Sequence, residues 1–161
     1  MPVTDVKKDL DALTMTVTAE FDAGAERVWE MWSDPRQLER WWGPPSHPAT
    51  FVDHEFEPGG RAAYFMTAPD GQKYHGWWRF EEVEPPARLR FEDGFADSDG
   101  NPNPDLPTSV ATVTLTESDG RTTMAIESRF ASRDHMEQTI EMGGEQGIRE
   151  ALGQIDALLA S

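Results

Sequence analysis

The run Thr14-Met15-Thr16-Val17-Thr18-Ala19-Glu20-Phe21 alternates apolar with polar positions and is rich in β-branched residues, the period of a strand with one buried face. Ala23-Gly24 breaks it. From Ala25 to Trp32 the spacing turns helical, with Val28 and Trp32 on one side and Trp29 beside them. Asp34-Pro35 restarts the chain, an acceptor for a helix cap followed by the residue best suited to a first helical position. A second short helix is predicted from there to Trp41 or Trp42, ending at Gly43-Pro44.

After this point the pattern predicts sheet. Strands are expected over Thr50 to Glu57, Arg61 to Thr67, Lys73 to Val83, Arg88 to Phe95, Ser109 to Glu117 and Thr122 to Phe130. The turns between them are Pro58-Gly59-Gly60, Pro69-Asp70-Gly71, Pro85-Pro86 and Ser118-Asp119-Gly120. Ala96 to Pro107 is built almost wholly of turn formers and reads as a long loop. The last segment, Arg133 to Leu159, predicts one long helix capped by Ser132, with Met136, Ile140, Ile148, Leu152, Ile155 and Leu159 as its stripe. Gly143, Gly144, Gly147 and Gly153 interrupt it, each costing about 1 kcal/mol against alanine. Either the backbone approaches the sheet closely there or the missing side chains leave room.

The elements add up to an α+β domain. A long amphipathic helix can bury its stripe only against the apolar face of such a sheet. A seven-stranded antiparallel sheet therefore wraps around the C-terminal helix, with two short helices after the first strand: the helix-grip architecture. No repeat or linker divides the 161 residues, so a single domain is expected over 1–161, with its core at about 14–160. Trp41, Trp42, Gly43 and Pro44 read as a structural hinge, with the indoles wedged between the short helices and the sheet edge.

Charge and composition narrow the partners. Thirty acidic residues against 14 basic give a formal charge of −16, a field that repels nucleic acid and anionic membrane surfaces. The acids are spread along the chain, which points to solubility. With no cysteine there are no disulfides and no thiol chemistry. Neither a signal peptide nor a membrane-spanning stretch is evident, so a cytoplasmic protein is expected. His47, His54, His75 and His135 have no metal-ligand spacing, no serine sits in a nucleophile elbow, and no glycine-rich loop has phosphate-binding form. No metal, cofactor or catalytic residue is assigned.

Several motifs together resemble a known family. They are Val28-Trp29 with Trp32, Trp41-Trp42-Gly43-Pro44, Pro58-Gly59-Gly60-Arg61, Pro69-Asp70-Gly71 and Pro85-Pro86-Ala87-Arg88-Leu89. Near the end come Gly144-Glu145-Gln146-Gly147-Ile148 and Ile155-Asp156-Ala157-Leu158-Leu159. In order and spacing the set is similar to the START and birch-pollen-allergen superfamily, SRPBCC. Within it, the motifs resemble the branch of homologues of the Aha-type activator of the heat-shock chaperone ATPase. Members of that branch often carry Trp where Ile148 stands and a basic residue where Glu57 stands.

Relatives of this fold tend to be hollow, so the resemblance sets a cavity beside a packed core as alternatives for the concave face. The side chains that would line it are His54, Tyr64, Met66, Tyr74, Trp78, Phe80, Phe91, Val113 and Met124 on the sheet, with Ile140, Gly144, Ile148 and Leu152 on the helix. His54, Glu55, Arg61, Tyr64 and Tyr74 are the polar groups that could reach inside, and a buried His beside a carboxylate could form an acid–base pair. Three functions follow: non-catalytic binding of a small apolar or amphipathic ligand, which is preferred; an aromatase/cyclase-like enzyme using the same cavity; or a chaperone cofactor. The last is weakened because chaperone activators carry a further N-terminal domain. A homodimer is expected from Trp77 and Phe65, whose phase leaves them on the face without helices.

Overall fold

The strands form where alternation predicts them, and their edges follow the turn residues. In the computed structural model, which describes residues 3–160, the elements are β1 (Val3–Asp9), β2 (Thr14–Phe21), α1 (Ala25–Ser33) and α2 (Pro35–Trp41). Six strands follow: β3 (Ala49–His54), β4 (Arg61–Thr67), β5 (Lys73–Glu84), β6 (Arg88–Phe95), β7 (Ser109–Ser118) and β8 (Arg121–Phe130). The chain ends in α3 (Arg133–Glu141), α4 (Gly144–Gly153) and α5 (Ile155–Leu159). All neighbouring strands pair antiparallel, in the order β1-β2-β8-β7-β6-β5-β4-β3. β2 and β3 therefore stand far apart in the sheet, and α1 and α2 bridge the distance across its apolar face.

The sheet has eight strands, not seven. β1 was illegible because Val-Thr-Asp-Val-Lys-Lys-Asp carries only two apolar residues, and both are only half-buried. Its backbone is fixed by pairing with β2, and Lys7 and Lys8 on the outermost strand discourage pairing with a further chain. The turn into β2 is held by the Asp9 carboxylate, which accepts from the amides of Asp11 and Ala12 at 3.0 Å each.

The C-terminal segment differs from one continuous helix. Ser132 caps α3 as expected, accepting from His135 N at 3.1 Å. The helix then stops at Met142-Gly143, where Gly143 takes a left-handed φ of 85°, a conformation that favours glycine. A second break falls at Gln154, whose side-chain amide donates to the carbonyls of Trp41 (3.2 Å) and Gly43 (2.9 Å). That amide ties the helix break to the hinge. Lys8 Nζ meets Glu145 Oε1 at 2.6 Å, so the unanticipated β1 also anchors the start of α4.

The hinge itself is half legible. Trp41 is fully buried and its Nε1 donates to Met31 O at 2.8 Å, a purely structural wedge. Gly43 has φ 93°, and a Cβ there would stand 2.5 Å from His47 O. Trp42 is different: it is half-buried, and one side of its ring faces a cavity.

The uncovered aromatic patch expected on the other face of the sheet is corrected. Trp77 is only 8% exposed, because it folds over Gly94 of β6, where a Cβ would lie 2.7 Å from its Nε1. Phe65 is half-buried beneath Lys73, whose Nζ stands 4.5 Å from the ring centroid.

Candidate functional site

The concave face is filled unevenly. Where α1 and α2 cover it, large rings interlock: Trp32 meets Trp41 at 4.8 Å edge to face, and Trp78 stacks on Phe91 at 4.2 Å. Under α3 and α4 the filling stops. One cavity of about 250 Å³ lies between β4, β5, β6 and α3, with walls that include Tyr64, Met66, Asp93, Phe130 and His135. A second, of about 220 Å³, lies between the hinge and α4, walled by Trp42, Pro44, Met66, Gly147 and Ile148. Met66 borders both, so the two cavities lie on either side of its side chain. An open groove leads away from the first chamber between β5 and the 96–107 loop, and shares Tyr74, His75 and Phe95 with it.

The helix glycines explain the second chamber. Nothing stands within 4 Å of a Cβ built on Gly147, so that position faces open space rather than a close backbone contact. Gly144 does the reverse, since a Cβ there would lie 2.8 Å from Thr139 O. Ile148 lines the same chamber one residue further along α4.

The first chamber holds the polar chemistry. Asp93 sits on the same phase of β6 as Leu89 and Phe91, and so points into the concave side beside Trp78, its partner across the strand pair. Tyr64 reaches it diagonally: its hydroxyl donates to Asp93 Oδ1 at 3.4 Å, a long bond. Gly76 makes this possible, because a Cβ at that position would stand 2.5 Å from the phenol ring. Burial pushes the Asp93 carboxyl up to about 7, opposed by donation from the Tyr64 hydroxyl and by the nearby Trp78 indole N–H, which closes no hydrogen bond. The carboxyl is enclosed by protein yet still reached by solvent through the chamber, so it can exchange its proton. Burial first, and the adjacent Asp93 charge second, hold the Tyr64 hydroxyl neutral.

Among the described residues three buried side-chain polar atoms close no hydrogen bond: Trp42 Nε1, Trp78 Nε1 and His135 Nδ1. The two indole N–H groups lie near enough to favour the ionised forms of Tyr64 or Asp93, though neither completes a bond of good geometry. Burial lowers the His135 pKa and so favours neutral imidazole. Such orphans are uncommon in native interiors, and here Trp42 and His135 wall the two chambers while Trp78 stands in the packed core beside Asp93.

The sequence-derived candidates divide accordingly. Tyr64, Met66 and Tyr74 line the first chamber, and Gly144 and Ile148 the second. Trp78, Phe80, Phe91, Val113, Met124 and Leu152 are fully buried in the packed core, and Ile140 packs at its margin. His54 lines neither chamber. Its Nε2 lies 3.1 Å from Trp32 O, its ring stacks on Phe56, and burial depresses its pKa. It ties β3 to the end of α1, while Glu55 and Arg61 are exposed. Asp93 and His135 were missed. For Asp93 the signal was present, because counting by two from Leu89 and Phe91 reaches it. Among the described residues no cluster of His, Asp and Glu is placed to hold a metal, and no helix is long and apolar enough to cross a membrane.

Comparison with known proteins adds the following. The sequence pattern of the family described as Activator of Hsp90 ATPase homolog 1-like protein matches residues 22–160. The crystal structure of protein Ms6760 from Mycobacterium smegmatis is 55% identical, with a TM-score of 0.90 over 98% of this chain and 97% of that one. A solution structure of a protein from Arthrobacter aurescens is 54% identical, with a TM-score of 0.94 over 98% of this chain and 92% of that one. The AHSA1 protein from Silicibacter pomeroyi, 24% identical over 91% of this chain and 97% of its own, shares the fold with a TM-score of 0.74. No curated protein matches the chain.

Proposed function

The chain belongs to the family of Activator of Hsp90 ATPase homolog 1-like proteins, within the SRPBCC superfamily its motifs resemble, and from that premise we propose that it binds a small amphipathic ligand in the two-chambered cleft. The observation that carries this reading is the division of labour along the cleft. The chamber along Gly147 and Ile148 is apolar, and the chamber at Asp93 gathers the polar groups. Apolar walls with a few convergent polar groups are what small-molecule sites share. The neutral fluorophore N-phenyl-1-naphthylamine should bind saturably, with enhanced emission, and Ile148→Trp should weaken it by filling the second chamber. Emission that never saturates, or that is indifferent to Ile148→Trp, overturns the reading.

A second reading rests on Asp93 alone. A carboxyl pushed up to about 7 is poised to move protons at neutral pH. Acting beside the Tyr64 hydroxyl, it could abstract a proton next to a bound carbonyl, the chemistry an aromatase/cyclase-like enzyme requires. Faster exchange of the α-protons of 2-octanone into D2O, lost in Asp93→Asn, would support this; exchange at the solvent rate would end it.

A further inference from the structure

Among the described residues Asp93 has no cationic partner. No lysine or arginine lines its chamber, and only the long bond from Tyr64 reaches its carboxylate from the protein with hydrogen-bond geometry. Buried carboxylates are ordinarily paired, and an unpaired one either takes a proton or waits for a counterion. The groups facing it are Tyr64 of β4, Trp78 of β5 and His135 of α3, whereas the His75 ring lies on the other face of the sheet beside Phe65. Burial keeps Tyr64 uncharged and disfavours the charged form of His135. The other walls are aromatic: the rings of Tyr64, Tyr74, Phe95 and Phe130 surround the same space. Tyr74 and Phe95 are each 51% exposed and stand at its mouth. A carboxylate at the base of an aromatic enclosure is the environment that holds an organic ammonium ion, through charge on one side and ring quadrupoles on the others. The net charge of −16 favours approach of a cation over that of an anion.

We propose that the chamber at Asp93 is the ammonium-binding end of the cleft. Its ligand is a cationic amphiphile whose charged nitrogen pairs with Asp93 among these rings. The alkyl chain runs past Met66 into the apolar chamber along Gly147. This rests on the ligand-binding reading above, and names its ligand class.

The test displaces N-phenyl-1-naphthylamine from the whole protein with three probes of matched chain: octyltrimethylammonium, 1-octanol and octanoate. Octyltrimethylammonium is expected to compete at least about tenfold better than 1-octanol, and octanoate worst. Asp93→Asn should abolish that preference, bringing octyltrimethylammonium and 1-octanol to equal competition, with an unchanged far-UV circular dichroism spectrum showing that the fold remains intact. Tyr74→Leu, at the exposed rim, should reduce the preference in part. Because the permanently charged probe cannot titrate, its preference should fade from about pH 8 to about pH 5 as Asp93 takes up a proton. Equal competition by ammonium and alcohol, tighter binding of octanoate, or a preference that survives Asp93→Asn overturns the ammonium site while leaving the cleft reading standing. If the fluorophore itself never binds, both fall.

Discussion

The two ends of the concave face are covered by the same kind of element and come out oppositely. At the α1–α2 end the helices bring Trp32, Trp41, Met31 and Leu38, all fully buried, and the sheet answers with Phe80, Phe91 and Met124. At the α3–α4 end, α3 buries only Met136 of its nine residues, and Gly143, Gly144 and Gly147 follow without side chains. The strands run continuously beneath both ends. What makes one end solid and the other hollow is the side-chain volume the covering helices deliver, not the sheet. The hollow end is also where polar groups lie buried without full hydrogen bonding, a cost that a site for a ligand explains and a packing role does not.

The largest effect is expected at the solid end. Trp41→Ala removes a fully buried indole and strands the Met31 carbonyl that accepts from it, so it should cost about 3–5 kcal/mol in denaturant titration. Tyr74→Ala, at the hollow end and half in water, should cost at most about 0.5 kcal/mol. Equal losses would mean that the two ends are packed alike.

Next comes Asp93→Asn, followed against pH. The Asp93 carboxyl titrates near 7 in the folded chain and near its ordinary value when unfolded. Between those values the folded state binds the extra proton, so the contribution of Asp93 to stability is lost as pH rises. Above about pH 7 the loss is complete and amounts to at most about 4 kcal/mol. Asn cannot ionise. The stability of Asp93→Asn relative to the unaltered protein should therefore rise from about pH 4 to about pH 7 and then level off. Parallel curves for the two proteins would show that the carboxyl is solvated in the folded state, and the hollow end would lose its distinctive chemistry.

These two tests follow the line between what was legible and what was not. Alternation announced six of the eight strands with their turns, and β2 as well, because each has one face in the core and a period of two. β1 stayed hidden because its order comes from pairing rather than burial. The helix breaks at Gly143 and Gln154 were hidden by a stripe that continues across them. Glycine content hinted at space, but whether a glycine faces a neighbour or a void depends on what stands opposite, which no single segment records. Asp93 was passed over between Phe91 and Phe95 because a carboxylate on an inward phase contradicts the burial rule, and such contradictions tend to mark function. His54, the conspicuous histidine, proved to be a strut.

The smallest effect separates open space from contact directly, using two glycines that border the cleft. Gly147 and Gly76 are both flanked by aromatic walls, but a Cβ on Gly147 meets nothing within 4 Å, whereas one on Gly76 would stand 2.5 Å from the Tyr64 ring. Gly147→Leu removes a helix-interior glycine, worth about 1 kcal/mol, and extends apolar surface toward Trp42 and Met66 without displacing a neighbour. Its melting temperature should therefore hold or rise by the equivalent of about 1 kcal/mol. Gly76→Ala adds a single methyl, yet it must push Tyr64 away from Asp93 and should destabilise by about 1–3 kcal/mol through overpacking. The larger substitution is thus expected to be the better tolerated, the reverse of what size alone predicts. If Gly147→Leu melts lower than Gly76→Ala, α4 lies against the sheet in solution, and the second chamber is closed.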